Sequence, residues 1–456
     1  MTHENPGERL KPLPIPDAGA NPAPLPSPAR DAGERLQPLL RVQTDVLRSL
    51  TSDCVHCGFC LPTCPTYLLW SEEMDSPRGR IQLMESHLDG TISLNPTVIG
   101  HFDLCLGCMA CVTACPSGVQ YEKLIEATRE TIETTTRRPF GDRLVRGVLF
   151  KLLPYPRRMG PALSLAPLGR RLPLPGRLGA MTEIAPPWRS TEKPEEVTPA
   201  SGETRGRVGI LTGCVQSVVF GTVNAATARV LAADGYEVVA PPQGCCGALS
   251  LHAGRGDEGR AFARRIIEAF EGVETVIVNT SGCGSHLKEL GHVLGDDPAW
   301  AERAAEFSTR VRDLGEFLAG VEPRAARHPL NVTVAMQDSC HLRHAQRLPV
   351  SSAVSLRRIP GLTMVEPAEQ DICCGSAGIY NITQADAARQ LGDRKAAHVL
   401  ATRSQVYASA NPGCLVQVAT ALRRAGNPMP ALHPIELVDA SIRNLGAAGL
   451  LRSSRR

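Results

Sequence analysis

Residues 54–65, CVHCGFCLPTCP, and residues 105–116, CLGCMACVTACP, decide the fold of the N-terminal part of the chain. In both runs, three cysteines are separated by two residues each, and a fourth follows three residues later, directly before a proline. Three thiolates on one short loop can bind three irons of a cubane cluster, while a fourth cysteine at the start of the next element reaches a second cluster. The sequence therefore predicts an α-helical ferredoxin-type domain with two [4Fe-4S] clusters.

The ligands of the two predicted clusters are expected to cross between the runs, because the fourth cysteine of each run is turned away from its own cluster. One cluster is then bound by Cys54, Cys57, Cys60 and Cys115. The other is bound by Cys105, Cys108, Cys111 and Cys64. The alternative is a pair of four-cysteine zinc sites, but zinc ribbons use two separated pairs of cysteines rather than a triple run ending in Cys-Pro.

Length, charge and cysteine content narrow the class of protein. The 456 residues suffice for two or three domains, and 49 basic against 46 acidic residues leave a net charge of only +3. That balance and an aromatic content of 4% argue against a nucleic-acid partner. The N-terminus lacks the pattern of a secretory signal, and no apolar run is long enough to span a bilayer. We therefore expect a cytoplasmic protein without a transmembrane segment, whose 16 cysteines bind metal rather than form disulfides.

Composition and periodicity divide the chain into five parts. The predicted parts are a disordered tail at 1–34, the ferredoxin-type domain at 36–153, an irregular Pro-rich connection at 154–205, a first repeat at 206–325 and a second repeat at 328–446. A short helix is expected over residues 36–50. The apolar segment 144–153, followed by Arg157 and Arg158, suits either a lipid or partner surface or the protein's own core, and the core is the favoured interpretation.

The two repeats share one order of strands and cysteines. Short β-branched runs lead to four cysteines in each copy, which are Cys214, Cys245, Cys246 and Cys283 in the first repeat and Cys340, Cys373, Cys374 and Cys414 in the second. Ala-rich helical stretches alternate with these runs, which indicates a duplicated parallel α/β unit. Each cysteine is expected just past a strand end, at the edge where open α/β sheets bind ligands.

The four cysteines of each repeat are candidates for a further iron-sulfur cluster or a zinc site. The alternative is buried free thiols left by the duplication, but their recurrence at similar spacing favours a function without identifying the metal. His341 and His344 beside Cys340, and His286 after Cys283, are candidates to hydrogen-bond a cluster or relay protons. A loop histidine that is simply solvated is the competing interpretation.

A flavin or nicotinamide site is not expected on this chain. The match to the dinucleotide-binding pattern G-x-G-x-x-G, at residues 254–259, follows a His-Ala turn instead of a strand and is interpreted as a loop. Two neighbouring clusters form an electron relay, which needs a donor and an acceptor. The two-electron chemistry is therefore expected on another subunit.

Two ferredoxin-type runs followed by two Cys-Cys-Gly repeats resemble the iron-sulfur subunits of glycolate oxidase over residues 40–445, with heterodisulfide reductase, anaerobic glycerol-3-phosphate dehydrogenase and lactate-utilisation subunits as wider relatives. The phrases that carry the resemblance are SPRGR at 76–80, LTGCVQ at 211–216, DSCHL at 338–342 and ANPGC at 410–414. The resemblance implies a complex in which an FAD-containing subunit oxidises glycolate to glyoxylate. This chain would pass the electrons to a membrane quinone or an equivalent acceptor, without being catalytic alone. It would then lie in the cytoplasm or, through the complex, on the inner face of the cell membrane.

One departure from the wider relatives bears on the alternatives. Heterodisulfide reductase repeats close with a C-x-x-C pair, whereas Thr280 and Asn411 stand three positions before Cys283 and Cys414. Non-cubane clusters and disulfide reduction are therefore in doubt for this chain. The alternatives to a glycolate oxidase subunit are a subunit of a D-lactate dehydrogenase or heterodisulfide-reductase-like complex, and a general electron carrier whose repeats only dock a partner.

Overall fold

The computed structural model describes residues 45–169, 176–186, 190, 192–348 and 352–453. The predicted disordered tail at 1–34 lies outside the described residues, as does the first part of the helix predicted over 36–50. That helix is present where it is described, over residues 45–52. The described residues from 47 onward pack as one unit.

The ferredoxin-type domain consists of short helices around the two cysteine runs. The helices are Pro65–Trp70, Pro77–Leu88, Pro96–Asp103, Ala110–Ala114, Tyr121–Thr135 and Phe140–Leu152, with a 3₁₀ turn at Glu73–Asp75. The first three begin with proline, whose missing N–H would have had no partner inside the helix. The helices of this domain pack around a core that contains the fully buried side chains of Phe102, Leu124, Ile125 and Ile132.

The apolar segment 144–153 belongs to the helix Phe140–Leu152. Leu149 is buried in a small apolar cluster with Ile379 of the second repeat, as expected for a helix that packs on the protein's own core. Leu144 is exposed, however, so only one face of this helix is covered.

The connection at 154–205 is more regular than the sequence predicts. It contains the helices Pro156–Gly169 and Gly176–Ile184 and a two-residue strand, β1 (Val197–Thr198). Met159 is buried and Leu163 packs against the core of the repeats. Tertiary packing therefore stabilises helices in a segment whose Pro and Gly content argued against them.

Each repeat is an open α/β unit on a parallel sheet. The first sheet has the order β1-β3-β2-β4-β5, in which only β1 is antiparallel, with β2 (Gly206–Leu211), β3 (Tyr236–Val239), β4 (Val276–Val278) and β5 (Val311–Asp313). The second has the order β7-β6-β8-β9 and is parallel throughout, with β6 (Thr333–Met336), β7 (Thr363–Val365), β8 (Val406–Ala408) and β9 (Ala431–Leu432). The β-branched runs that lead to the cysteines form the strands β2, β3, β4, β6, β7 and β8, as predicted, and β1, β5 and β9 are additional.

Helices follow the strands in both repeats. In the first repeat they are Val215–Val219, Gly221–Ala233, Ala248–Leu251, Gly256–Ala269, Ser281–Lys288, Leu290–Val293, Ala301–Arg310 and Leu314–Ala319. In the second they are a π-turn at His341–Ala345, a 3₁₀ turn at Ser352–Arg358, and the α-helices Tyr380–Thr383, Ala385–Ala401, Pro412–Arg424, Pro434–Ile442 and Gly446–Ser453. The Ala-rich stretches predicted to be helical, 261–270 and 385–400, lie within the helices Gly256–Ala269 and Ala385–Ala401 apart from residue 270.

The two repeats share one hydrophobic core. It joins Ile210 of β2 to Val334 of β6 and Tyr407 of β8, all fully buried. Across the same boundary, Arg229 donates hydrogen bonds of 3.0 and 2.8 Å to the two carboxylate oxygens of Asp439. The architecture is the predicted α+β one, a helical ferredoxin-type domain followed by a duplicated α/β unit. In the part of the chain that the structure describes, no helix is long and apolar enough to cross a membrane.

Candidate metal centres

Four cysteines drawn from both runs line one cavity near the surface of the ferredoxin-type domain, namely Cys54, Cys57, Cys60 and Cys115. The loop that holds the first three can curl because His56 and Gly58 adopt positive φ angles of 53° and 86°. Cys57 is exposed and the other three thiols are half-buried. These are the cysteines that the sequence assigns to one cluster, and Cys111 also borders the cavity.

A second cavity is lined by the other predicted group, namely Cys64, Cys105, Cys108 and Cys111. All four of these thiols are buried. Cys64 is the N-cap residue of the helix Pro65–Trp70, so the chain direction changes just after the first run. The structure thus brings the fourth cysteine of the first run to the cavity of the second run.

The start of the helix Pro77–Leu88 forms the wall between the two cavities. Pro77 lines both, while Arg78 lines the first and Arg80 the second. Arg78 is held in place by Glu73, whose carboxylate accepts its Nε–H at 2.6 Å. The SPRGR segment at 76–80 thus forms the start of a helix that shapes both cavities.

Ser76 and Gly79 make that wall compact. The Ser76 hydroxyl caps the helix by accepting a hydrogen bond from Gly79 N at 3.0 Å. A Cβ at Gly79 would collide with the Glu73 carbonyl oxygen. The helix can therefore pack tightly on the preceding turn only because this residue is a glycine.

Arg80 is a buried cation beside the second cavity, with an exposed fraction of 1%. Its guanidinium donates to the His101 carbonyl oxygen at 2.7 Å and to the Thr66 hydroxyl at 3.2 Å, and lies 4.0 Å from Cys64 Sγ. A buried cation is costly unless negative charge faces it. Asp75 Oδ1 lies 3.5 Å from Arg80 Nη2 and provides part of that charge, and cluster thiolates would add to it.

The environment of Cys105 favours a thiolate. Burial alone would raise its pKa, but the charges of Arg80 and Arg129, with hydrogen bonds from Gly107 N–H and the Tyr121 hydroxyl, bring the pKa of Cys105 below its usual value. The thiolate is the form that binds metal. Sequence reasoning did not single out Arg80, Arg129 or Tyr121. Of these three residues, only Arg80 lies in a sequence motif, since it is the last residue of SPRGR.

The four cysteines of the first repeat lie together past the ends of β2, β3 and β4. Cys214 Sγ lies 3.5 Å from Cys245 Sγ, and Cys246 is in hydrogen-bond contact with Cys283. The Gly247 N–H donates to Cys245 Sγ at 3.5 Å. The contact with Cys245 and burial raise the pKa of Cys214 well above its usual value.

The four cysteines of the second repeat meet in the same way past β6, β7 and β8, and all are buried. Cys373 contacts Cys340 and Cys374, and Cys374 contacts Cys414. Asn411 Nδ2 donates to Cys414 Sγ at 3.4 Å. The position three residues before the last cysteine therefore supplies a hydrogen bond to sulfur. Hydrogen bonds from Cys374 and Asn411 hold the pKa of Cys414 below its usual value despite burial.

The second repeat places its cysteines against the ferredoxin-type domain. Cys340 and Cys373 belong to one apolar cluster with Cys108 and its neighbour Leu106. Burial raises the pKa of Cys108, and the nearby Cys373 raises it further. The first repeat's Cys214 and Cys245 pack instead with Phe262. The two repeats are therefore alike in their cysteines but differ in their contact with the ferredoxin-type domain.

None of the three candidate histidines is fully solvated, and His341 is half-buried. His286 and His344 are both buried. His286 Nε2 lies 3.1 Å from the Cys246 carbonyl oxygen, and burial together with nearby His252 lowers the pKa of His286 to about 4. His344 Nδ1 lies 3.0 Å from Thr113 Oγ1, a contact between the second repeat and the ferredoxin-type domain.

His252, which the sequence did not single out, stands between the other imidazoles. Its ring centroid lies 6.1 Å from that of His286 and 5.8 Å from that of His341. Its Nδ1 lies 2.6 Å from Glu126 Oε1 of the ferredoxin-type domain. Burial, with a contribution from His252, lowers the pKa of His341 to about 4. This group connects the ferredoxin-type domain to both repeats.

The residues of the G-x-G-x-x-G pattern at 254–259 pack against the helix Tyr121–Thr135. It follows a helix instead of a strand, and its last four residues are helical, so the loop interpretation is right only for its start. Gly254 has a φ of 81°, and a Cβ there would collide with the Arg129 carbonyl oxygen. The glycines thus permit close approach of another backbone.

Family models match both kinds of domain. The model described as a 4Fe-4S dicluster domain matches residues 51–119. The model described as a cysteine-rich domain matches residues 208–288 and 334–419. The matches fall on the two cysteine runs and on the two repeats.

Curated relatives match most of the chain. It is 37% identical over 411 residues to the probable glycolate oxidase iron-sulfur subunit of Bacillus subtilis, covering 85% of this chain and 93% of that one. It is 36% identical over 406 residues to the glycolate oxidase iron-sulfur subunit of Escherichia coli, covering 86% and 95%. Lactate utilization protein A of Exiguobacterium is 28% identical over 242 residues, covering 52% of this chain and 98% of that one.

Proposed function

This chain belongs to the family of glycolate oxidase iron-sulfur subunits, and we propose that it carries electrons from an FAD-containing subunit, which oxidises glycolate to glyoxylate, to a membrane quinone or an equivalent acceptor. The chain is then a subunit of a multi-subunit oxidoreductase. Its own residues hold the electron carriers, and the hydroxy acid binds on the partner.

Two [4Fe-4S] clusters are proposed, one bound by Cys54, Cys57, Cys60 and Cys115 and the other by Cys64, Cys105, Cys108 and Cys111. The observation that carries the proposal is that these thiols fall into two cavities, each bordered by three cysteines of one run and the fourth of the other. The donor set fits the group, because four thiols per cavity and nearby N–H and guanidinium donors suit a bound cluster. When bound, each cluster supplies a one-electron carrier.

The surface around Cys57 is the proposed entry for electrons from the flavoprotein. Val55 and Phe59 flank this exposed cysteine and are 67% and 65% exposed themselves. Exposed apolar side chains beside a redox centre are typical of a docking surface. A partner seated there would come directly against the first cavity.

A further iron-sulfur centre is proposed at Cys340, Cys373, Cys374 and Cys414. Support comes from the apolar cluster that joins Cys373 to Cys108, since it puts this site next to the second cavity. For the first repeat, whose cysteines are packed elsewhere, a cluster and a zinc ion both suit four clustered thiols. In each repeat the N–H of the glycine after the cysteine pair donates a hydrogen bond to the first sulfur of that pair.

Glycolate-dependent dye reduction by the assembled complex tests the function. The rate is expected to require this chain, to be higher with glycolate than with D-lactate, and to fall at least about tenfold in the Val55→Asp, Phe59→Asp variant, because a charge at each position opposes docking. Val197→Asp, at a 45% exposed position on β1, is the matched control and is expected to retain the rate. Full activity without this chain, or a preference for D-lactate, would overturn the assignment.

A further inference from the structure

The helix Phe140–Leu152, called the basic helix below, has an uncovered apolar stripe. Phe140, Leu144 and Val148 are 78%, 57% and 48% exposed. They recur every four residues, so they lie on one face of the helix. Leu149, on the other side, is buried in the protein. A continuous exposed apolar stripe of this kind marks an interaction surface.

Exposed cations lie on the basic helix and next to both of its ends. Arg143 and Lys151 are exposed on the basic helix itself. Arg137 precedes it, and Arg157 and Arg158 follow it, all exposed as well. Five exposed cations therefore lie on the basic helix or within six residues of its ends.

Negative charge on this surface is already neutralised. Asp142 is the only acidic residue in the sequence from 137 to 165. Its carboxylate is 13% exposed and accepts from Arg146 at 3.0 Å and from Arg177 at 2.8 Å. Cations are therefore left to face outward without a competing carboxylate on the same segment.

This combination matches a helix that lies in the plane of a bilayer surface. Apolar side chains on such a helix enter the boundary between headgroups and acyl chains, while flanking Lys and Arg contact anionic headgroups. An acidic protein surface would satisfy the cations, but it would also need an apolar groove for the stripe. An anionic bilayer offers negative headgroups to the cations and an apolar interior to the stripe.

The opposite side of the basic helix faces the ferredoxin-type domain's second cluster site. Arg146 lines a cavity of about 100 Å³ that is also lined by Cys105, Glu126 and His252. A helix is about 10 Å across, so a bilayer on the outer face would lie close to that cavity. Given the function proposed above, a lipid-soluble acceptor would then be near a cluster.

We infer that Phe140, Leu144 and Val148, with the cations around them, form a peripheral binding surface for an anionic lipid bilayer. The full-length chain, purified anaerobically, is mixed with vesicles of phosphatidylcholine alone or with added phosphatidylglycerol, and bound protein is measured by sedimentation. Binding is expected only with the anionic lipid and is expected to weaken with added salt, because the headgroup attraction is screened.

Two variants separate the apolar and the charged contributions. Leu144→Asp, Val148→Asp and, separately, Arg143→Glu, Lys151→Glu are each expected to lower vesicle partitioning by about tenfold or more. The matched controls are Val197→Asp and Arg357→Glu, which place the same changes at exposed positions elsewhere. They are expected to bind like the wild type.

Two results would overturn the inference. One is equal binding, or no binding, to neutral and anionic vesicles. The other is unchanged vesicle binding of both variants, and if these variants also abolish co-purification with the flavoprotein, this face is a protein interface. Because vesicle binding is measured without glycolate or dye, its failure does not bear on the proposed electron transfer.

Discussion

The crossed assignment gives the fourth cysteine of each run to the cluster that the other run holds. Cys64 lies in the cavity of the other run, 3.3 Å from the Thr66 hydroxyl. Cys64→Ser is expected to remove about four of the roughly eight irons of the ferredoxin-type domain, because serine is a poorer cluster ligand. Adding Cys108→Ser should remove little more, whereas adding Cys57→Ser should remove about four more irons.

Iron and acid-labile sulfide counts on the three variants measure this pattern. If Cys57→Ser adds nothing to Cys64→Ser while Cys108→Ser does, each run holds a cluster of its own and the crossed assignment is wrong. The comparison is internal, since each double variant differs from the other at one position.

Single residues differed greatly in how far the sequence could predict their roles. Spacing of a few residues limits which sulfurs can reach one cubane, so the cysteines could be grouped before any fold was known. Arg129 and Tyr121 gave no such signal, because their burial next to Cys105 depends on segments that are distant in sequence. Arginine is also rarely buried, so no general expectation places one beside a cluster.

At the scale of elements, the glycine pattern at 254–259 lets the helix Tyr121–Thr135 pack closely against it. Gly254→Ala is expected to lower the free energy of unfolding by more than the roughly 1–3 kcal/mol of backbone strain, because the new Cβ also collides with the Arg129 carbonyl oxygen. Gly272→Ala is the matched control, since Gly272 has a φ of 73° but open space around its Cβ. Urea unfolding of both variants measures the difference in the free energy of unfolding. Equal losses would contradict the close packing of Gly254 against the helix Tyr121–Thr135.

Helix caps at the ends of the two sheets give the repeats opposite responses to pH. His433 caps Pro434–Ile442, and burial lowers its pKa from 6.5 to about 3. Between these values the folded state binds fewer protons than the unfolded state, so stability falls as the pH drops, by about 1.4 kcal/mol per pH unit at most. His433→Asn keeps a capping acceptor and removes the titration. Its stability is expected to fall less than that of the wild type below pH 6.5.

Asp313 caps the equivalent helix Leu314–Ala319 of the first repeat, and its titration has the opposite sign. Burial raises its pKa from 3.8 to about 6, so the folded state binds more protons and its contribution to stability is lost as the pH rises through that window. Asp313→Asn should remove that loss. Urea unfolding of wild type and variants across the pH range checks both caps, and parallel curves for all three proteins would contradict the account.

Element prediction succeeded where periodicity was strong and failed where packing decided. The strands β2 and β6 are β-branched runs of six and four residues and were predicted. The strand β9 has only two residues, and two of the three residues of β5 are charged, so neither forms a β-branched apolar run. The helices of the connection were missed because their prolines suggested breaks, while burial of Met159 stabilises the first of them.

At the scale of the whole molecule, the two repeats have equivalent cysteines, but only those of the second repeat pack against a cluster cysteine of the ferredoxin-type domain. Cys373→Ser is expected to shift the midpoint potential of the cluster at Cys108 by on the order of tens of millivolts, because charge and polarity beside a cluster set its potential. Cys245→Ser is the equivalent change in the first repeat and is expected to leave that potential unchanged. An EPR-monitored redox titration compares them, and equal shifts would contradict the asymmetry.

This asymmetry was not predictable from the sequence, in which the two repeats look alike. It arises from contacts between distant segments, such as Arg129 Nη1 with the His252 carbonyl oxygen at 2.9 Å and His344 with Thr113. Such docking contacts involve ordinary residue types without a local pattern. The duplicated α/β architecture, by contrast, could be predicted because strand, helix and cysteine order recur along the chain.

The central claim is that eight cysteines hold two [4Fe-4S] clusters through which the chain carries electrons. The most direct measurement is iron, acid-labile sulfide and zinc content of the anaerobically purified full-length chain, with a low-temperature EPR spectrum of the reduced sample. At least about eight irons with matching sulfide, and a spectrum of two interacting reduced clusters, are the expected result. Fewer than about four irons per freshly reconstituted chain, or zinc in their place, would contradict the claim.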